Sequence, residues 1–455
     1  MAAAMVAGGA ASSPPTGRWE GDVVGGAPSG HLGNPGHNVP LLGNGYLGLV
    51  LQSSPTGAPG THGVEFAGST VDLFLNTNAN WDCEKSKTGS LPPAVCSMRG
   101  LGGLTLNALN SSAAGRQLYG NASSFAVEQR LANGSLWTLR RGADGSSLET
   151  ETVIHPEANQ LLTTLTYLGP GGAADGGSPL GLGLQLWALG KTSHVRSSAN
   201  SSCTLSADGK TTSCGRHYNP GATTTGYVSV ATALATHVVG ATPPMRSAVA
   251  IEACVNRFEC VSTATTVYEI GPGQTLQLIT TSADNLLTGN AHDPMPDAAS
   301  LALGGSPAAI AEASAAFWRS YWNASSVELP TRPALERMWF GSQYSTAGST
   351  ASADTVTRMQ KKLPPPGLYG PFATGDFAFW NVSASMPYGS NTLCTLIPEN
   401  ALRRAISRLI TTKRPTSTTS SPATTQSAPR HTSSQFWTIC RVREPRRFAS
   451  LHSRA

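Results

Sequence analysis

The sequence predicts a β + α protein, an antiparallel β-sandwich followed by helices, on three observations. From Trp19 to about Asp297 it runs in short β-branched or alternating segments separated by Gly, Asn, Asp and Pro. Only 13% of residues are charged, and 49 Gly and 31 Pro stand among 455 residues, where an average soluble domain has about 25% charged residues. After residue 300 the pattern changes to helical spacing. The length favours two domains. A hydrophobic content of 40% excludes a wholly disordered chain, and no run approaches the roughly 20 apolar residues of a spanning helix.

Residues 1–18 read as a disordered start with no basic or apolar leader. The β domain follows over 19–300. Asn44-Gly45, between Pro40-Leu41-Leu42 and Tyr46 to Leu51, is a hairpin signal, because both central residues of a type I′ turn need positive φ. Strands are expected at Gly102–Leu106, Leu136–Arg140, Leu161–Leu168, Gly181–Leu186, Tyr227–Leu234, Thr265–Ile270 and Gln274–Thr281. Many strands without intervening helices argue an antiparallel sandwich. In a helical linker, 301–332, Ser306-Pro307 gives an N-cap and a first-turn proline. The helix then ends in Phe317, Trp318, Tyr321 and Trp322. A second helix starts at Pro333, where Leu335, Met338, Trp339 and then Ser342 with Gln343 fall at three-to-four spacing, and continues toward Ala347. Leu363 to Gly370 is too rich in proline for a helix interior.

Charge and cysteine both divide the chain near residue 381. Residues 382–455 hold 11 Lys/Arg against Glu399 and Glu444, leaving a net charge of −4 in 1–381 out of +5 overall. Basicity thus belongs to a Ser/Thr/Pro-rich tail without a nucleic-acid-binding motif, and a nucleic-acid partner is not expected. Val382-Ser383 can also be encoded with the form of a splice donor, so the tail is read as disordered or out of frame. Cys83/Cys96, Cys203/Cys214 and Cys254/Cys260 form three local pairs, each closing a short loop. Bridges of this kind would place the chain outside the cytosol, in a secreted or endomembrane lumen. No zinc-type spacing occurs, so neither metal nor cofactor is expected. Six Asn-x-Ser/Thr sequons, at Asn110, Asn121, Asn133, Asn200, Asn323 and Asn381, agree with that compartment.

The candidate binding residues are Asp376, Phe379, Trp380 and Asn381. An indole face stacks on the apolar side of a pyranose, while a neighbouring carboxylate and amide bond its hydroxyls. The competing reading is a buried loop anchor, common for Phe/Trp beside Pro and Gly.

The order of four pieces carries a resemblance. They are Leu42-Gly43-Asn44-Gly45-Tyr46-Leu47-Gly48, Phe317-Trp318-Arg319-Ser320-Tyr321-Trp322, Leu335-Glu336-Arg337, and Gly367-Leu368-Tyr369-Gly370 running to Phe379-Trp380-Asn381. Together, over roughly 19–381, they resemble the six-hairpin glycosidase group, such as glycoside hydrolase families 65 and 95. The resemblance implies a β-supersandwich, linker helices and the first part of an (α/α)6 barrel over 333–381, truncated here. It also implies an action on a glycan or oligosaccharide, with Phe379 and Trp380 at the sugar. Asn381 stands where family 65 phosphorylases have Asp, and no general acid is assignable. Glycoside hydrolysis needs two carboxyl groups flanking the bond, so the chain is expected to be catalytically incomplete. The alternative is a non-catalytic carbohydrate-binding sandwich.

Overall fold

Side chains of a strand alternate between its two faces, and the chain uses this period to build two stacked sheets. In a computed structural model the described residues are 14, 16–24, 27–28, 40–52, 71–77, 81–85, 94–98, 101–108, 114, 118, 122–172, 177–190, 199–218, 230–240, 244–256, 259–285 and 293–349. In chain order the strands are β1 (Thr16–Val24), β2 (Ala27–Pro28), β3 (Leu41–Gly43), β4 (Leu47–Gln52), β5 (Val71–Thr77), β6 (Trp81–Lys85), β7 (Ala94–Met98), β8 (Gly102–Ala108), β9 (Ala122–Arg130) and β10 (Ser135–Gly142). They continue as β11 (Ser147–Ile154), β12 (Gln160–Leu168), β13 (Leu180–Leu189), β14 (Asn200–Leu205), β15 (Thr211–Tyr218), β16 (Val230–Val239), β17 (Arg246–Asn256), β18 (Glu259–Ile270) and β19 (Thr275–Asp284). Among the described residues three helices follow: α1 (Met295–Leu303), α2 (Pro307–Ala324) and α3 (Pro333–Ser349).

A 10-stranded sheet has the order β14-β15-β16-β19-β12-β11-β10-β9-β1-β2, and a 7-stranded sheet the order β17-β18-β13-β8-β5-β4-β3. Strands β6 and β7 pair with each other. Pairing is antiparallel throughout, as in β12 against β19 and β13 against β18. The large sheets share one core, to which one contributes Leu136, Leu165 and Leu234 and the other Leu49, Leu104 and Leu184. Alternation is plain in β12, where Leu161, Thr163, Leu165 and Tyr167 are buried while Thr164 and Thr166 are half-buried. This is the expected β-sandwich with a short helical part.

Helices cover the opposite face of the larger sheet. Ala298 and Ala302 of α1 pack on Ala233, Ala235 and Ala283, small residues on both sides letting the backbones approach, and Thr281 Oγ1 donates to Ala298 O at 2.7 Å. Ile310 of α2 packs on Leu162 and Ile279. Ser306 caps α2 as expected, its side chain accepting from Ala309 N. Among the described residues no helix is long and apolar enough to cross a membrane.

The structure moves several of the expected boundaries. The β pattern read as far as Asp297 gives way at Met295 to α1, whose nine residues with small apolar positions give too brief a period to stand out. In α3 the buried side is Phe340, Tyr344 and Ala347, whereas Leu335 and Met338 are 48% and 70% exposed. The aromatic residues, which bury more area each, choose the face. Strand β1 also takes in Thr16–Arg18, and β16 runs on to Val239.

Candidate functional site

The Asn44-Gly45 turn organises one end of the sandwich. Gly45 adopts φ 78°, which only glycine takes at no steric cost. The buried Asn44 side chain then fills all its bonding positions: Oδ1 accepts from Tyr46 N (3.0 Å) and Leu47 N (2.8 Å), and Nδ2 donates to His155 O (3.1 Å) and Ala158 O (2.9 Å). His155 Nδ1 accepts from Glu157 N (3.1 Å) and Ala158 N (2.8 Å), which closes the turn between β11 and β12. Burial lowers the His155 pKa, and Glu157 acts in the opposite direction. Tyr46 OH donates to Asp284, both side chains being buried.

Helix α3 ends against this hairpin, with Gly45 N donating to Gly348 O at 2.8 Å. Earlier in the helix, Tyr344 OH donates to Leu41 O (3.1 Å), and burial pushes its phenol pKa up. Tyr344 stacks on Trp318 with centroids 4.6 Å apart, and Trp322 meets Phe340 edge-on at 5.3 Å. Trp322 Nε1 donates to Leu131 O at 2.7 Å. Trp318 and Trp322 are 3% and 6% exposed, so they anchor α2 and have no face open to a ligand. Glu336 Oε2 accepts from Leu329 N (2.7 Å), holding the turn that precedes α3.

The predicted binding residues Asp376, Phe379, Trp380 and Asn381 lie outside the described residues. Of the cysteine pairs, Cys203 and Cys214 are disulfide-bonded across directly opposed positions of β14 and β15. The ladders set Cys83 opposite Cys96 and Cys254 opposite Cys260, and Cys260 is disulfide-bonded. A cavity of about 300 Å³ lies at the start of α1, lined by Asn200, Ser202, Gly215, His217 and Asp293. Apart from Asn200, which heads a sequon, none of these residues is nominated by the sequence, and the roles of His155 and Asp284 had no sequence signal either. Asn44 was visible only as a turn former, since its partners at His155 and Ala158 lie over a hundred residues away.

No family model matches the sequence, and no curated protein matches it. Among solved structures it is similar to a putative kojibiose phosphorylase from the human microbiome, at 9% identity over 68% of this chain and TM-score 0.44. A family 92 glycosyl hydrolase is similar at 15% identity over 72%, TM-score 0.34. A bacterial glucoamylase complexed with acarbose is similar at 9% over 74%, TM-score 0.36. The chain spans 39%, 40% and 43% of the length of these three proteins. With TM-scores this low, none of the likenesses decides a function.

Proposed function

We propose that this chain is the sandwich and first helices of a secreted or lumenal glycan-acting protein of the six-hairpin glycosidase kind, binding an oligosaccharide through Trp380 and Phe379 with Asp376 and Asn381 at the hydroxyls. The observation that carries the reading is the bond from Gly45 N to Gly348 O. The helix whose first turn holds Leu335-Glu336-Arg337 thus ends on the Leu42–Gly48 hairpin, and through Tyr344 on Trp318 it also packs on the aromatic end of α2. A compartment outside the cytosol is supported by the Cys203–Cys214 bridge. Binding without turnover is the expected activity of the 455-residue chain, because no acid and base pair is assignable.

The test is Trp380→Ala in the full chain, with the melting temperature and the dissociation constants for a panel of gluco- and manno-oligosaccharides measured together. Loss of binding at an unchanged melting temperature is expected, since removing the ring deletes the stacking surface. Absence of oligosaccharide binding by the parent chain, or a collapse of stability in the variant, supports the loop-anchor reading and defeats the proposal. Measured glycosidase turnover would overturn the catalytic incompleteness alone.

A further inference from the structure

We infer that Asn133 carries an N-linked oligosaccharide. An Asn-x-Ser/Thr sequon is only a necessary condition for this modification, and the fold must also present the asparagine at the surface with room for the sugar. The loop between β9 and β10 meets that requirement. Its two ends are pinned inward: Leu131 is buried with its carbonyl bonded to Trp322 Nε1, and Gly134, at φ 64°, lies so close to Trp318 that a Cβ there would sit inside the indole. The two residues between them, Ala132 and Asn133, are exposed. The sequon hydroxyl is already turned to its asparagine, Ser135 Oγ donating to Asn133 Oδ1 at 3.1 Å. That bond fixes the amide and leaves Nδ2 as the atom to be substituted.

The asparagines of the other described sequons are exposed as well, but their surroundings differ. At Asn200 the hydroxyl of Ser202 turns to Met295 Sδ (3.9 Å), and a sugar there would fill the cavity that Asn200 lines. Asn323 lies within the last turn of α2, directly after the buried Trp322.

The co-substrate is an oligosaccharide linked to a lipid pyrophosphate. Asn133 Nδ2 displaces the pyrophosphate from C1 of the first sugar. The N–C1 bond forms, the C1–O bond breaks with its electron pair leaving on the lipid pyrophosphate, and Nδ2 releases one proton. The inference rests on the lumenal location in the proposal above, so the experiment reads that location independently.

Full-length protein from its native source is treated with a peptide-N-glycosidase in heavy-oxygen water, and the peptides are mapped without reduction. Heavy-oxygen aspartate at position 133 in most chains is the expected result. Asn133→Gln and Ser135→Ala, expressed in the same cells, should each lose one glycan from the intact mass. An unlabelled Asn133 alongside a bridged Cys203–Cys214 overturns the glycan while leaving the compartment standing. An unlabelled Asn133 with both of those thiols free overturns the two together.

Discussion

The interior of the sandwich and the joint between helices and sheet are held in different ways. Between the sheets the filling is mostly leucine, with Leu49, Leu104, Leu165, Leu184 and Leu234 each one of many similar groups in a layer about 10 Å deep. At the joint a few residues dominate and directed bonds fix them: Trp322 donates to Leu131 O and Tyr344 to Leu41 O, while Asn44, in the hairpin on which α3 ends, ties that hairpin to the turn at His155 through four backbone groups. Aliphatic packing tolerates changes of shape at constant volume. A buried polar atom that loses its partner has no such latitude. The sandwich is therefore redundant, and the joint is specific.

The largest effect should come from Asn44→Ala. It strips partners from two backbone N–H groups and two carbonyls, for an expected loss of about 4 kcal/mol in denaturant unfolding of the full chain. A loss no larger than that of a surface mutant would erase the contrast. Trp322→Phe leaves Leu131 O without its donor and opens a gap, so about 3 kcal/mol is expected, against under about 1.5 kcal/mol for Leu184→Met in the sandwich. Equal losses would show that the joint is as adaptable as the core. Gly134→Ala comes next, at about 2 kcal/mol, from the left-handed backbone and the displacement of Trp318. A shift in indole fluorescence should accompany it, and an unshifted spectrum would mean that the loop moves instead of the ring.

The smallest effect is a pH dependence that sharpens the same contrast. His155 Nδ1 can accept from Glu157 N and Ala158 N only while it is unprotonated. Burial sets its folded pKa below the ordinary 6.5, so the unfolded chain takes up the proton first as pH falls. The stability it contributes is complete above 6.5 and is lost as pH drops through the folded value. Unfolding curves at about pH 7.5 and about pH 5 should show this loss, and His155→Asn, which can accept in the same turn without titrating, should show less of it. An identical pH response in the two proteins would assign the acid sensitivity elsewhere.

How much of this was legible in the sequence varied with distance along the chain. The Asn44-Gly45 turn, the Ser306 cap, the start of α3 at Pro333 and the opposition of Cys203 to Cys214 are each written within a dozen residues. The candidate residues Asp376, Phe379, Trp380 and Asn381 were nominated by the chemistry of their side chains and their order after the other motifs. Nothing local marked α1, whose stability comes from the alanines of β16 and β19 beneath it.

What the sequence by itself determined was therefore the local part: period-2 strands, turns that need glycine, a capped helix and short cysteine loops, all set by backbone sterics and near-neighbour bonds. Only the tertiary structure decided that β13 lies between β8 and β18, that α3 buries Phe340 and Tyr344 and leaves Leu335 and Met338 exposed, and that Asn44 reaches the turn at His155. The physical reason is that many strands share the same alternation, so the pattern assigns each residue to a face but not to a neighbour. The choice of neighbour falls to the long-range fit of particular side chains, above all the few large aromatic and amide groups whose polar atoms each need one definite partner.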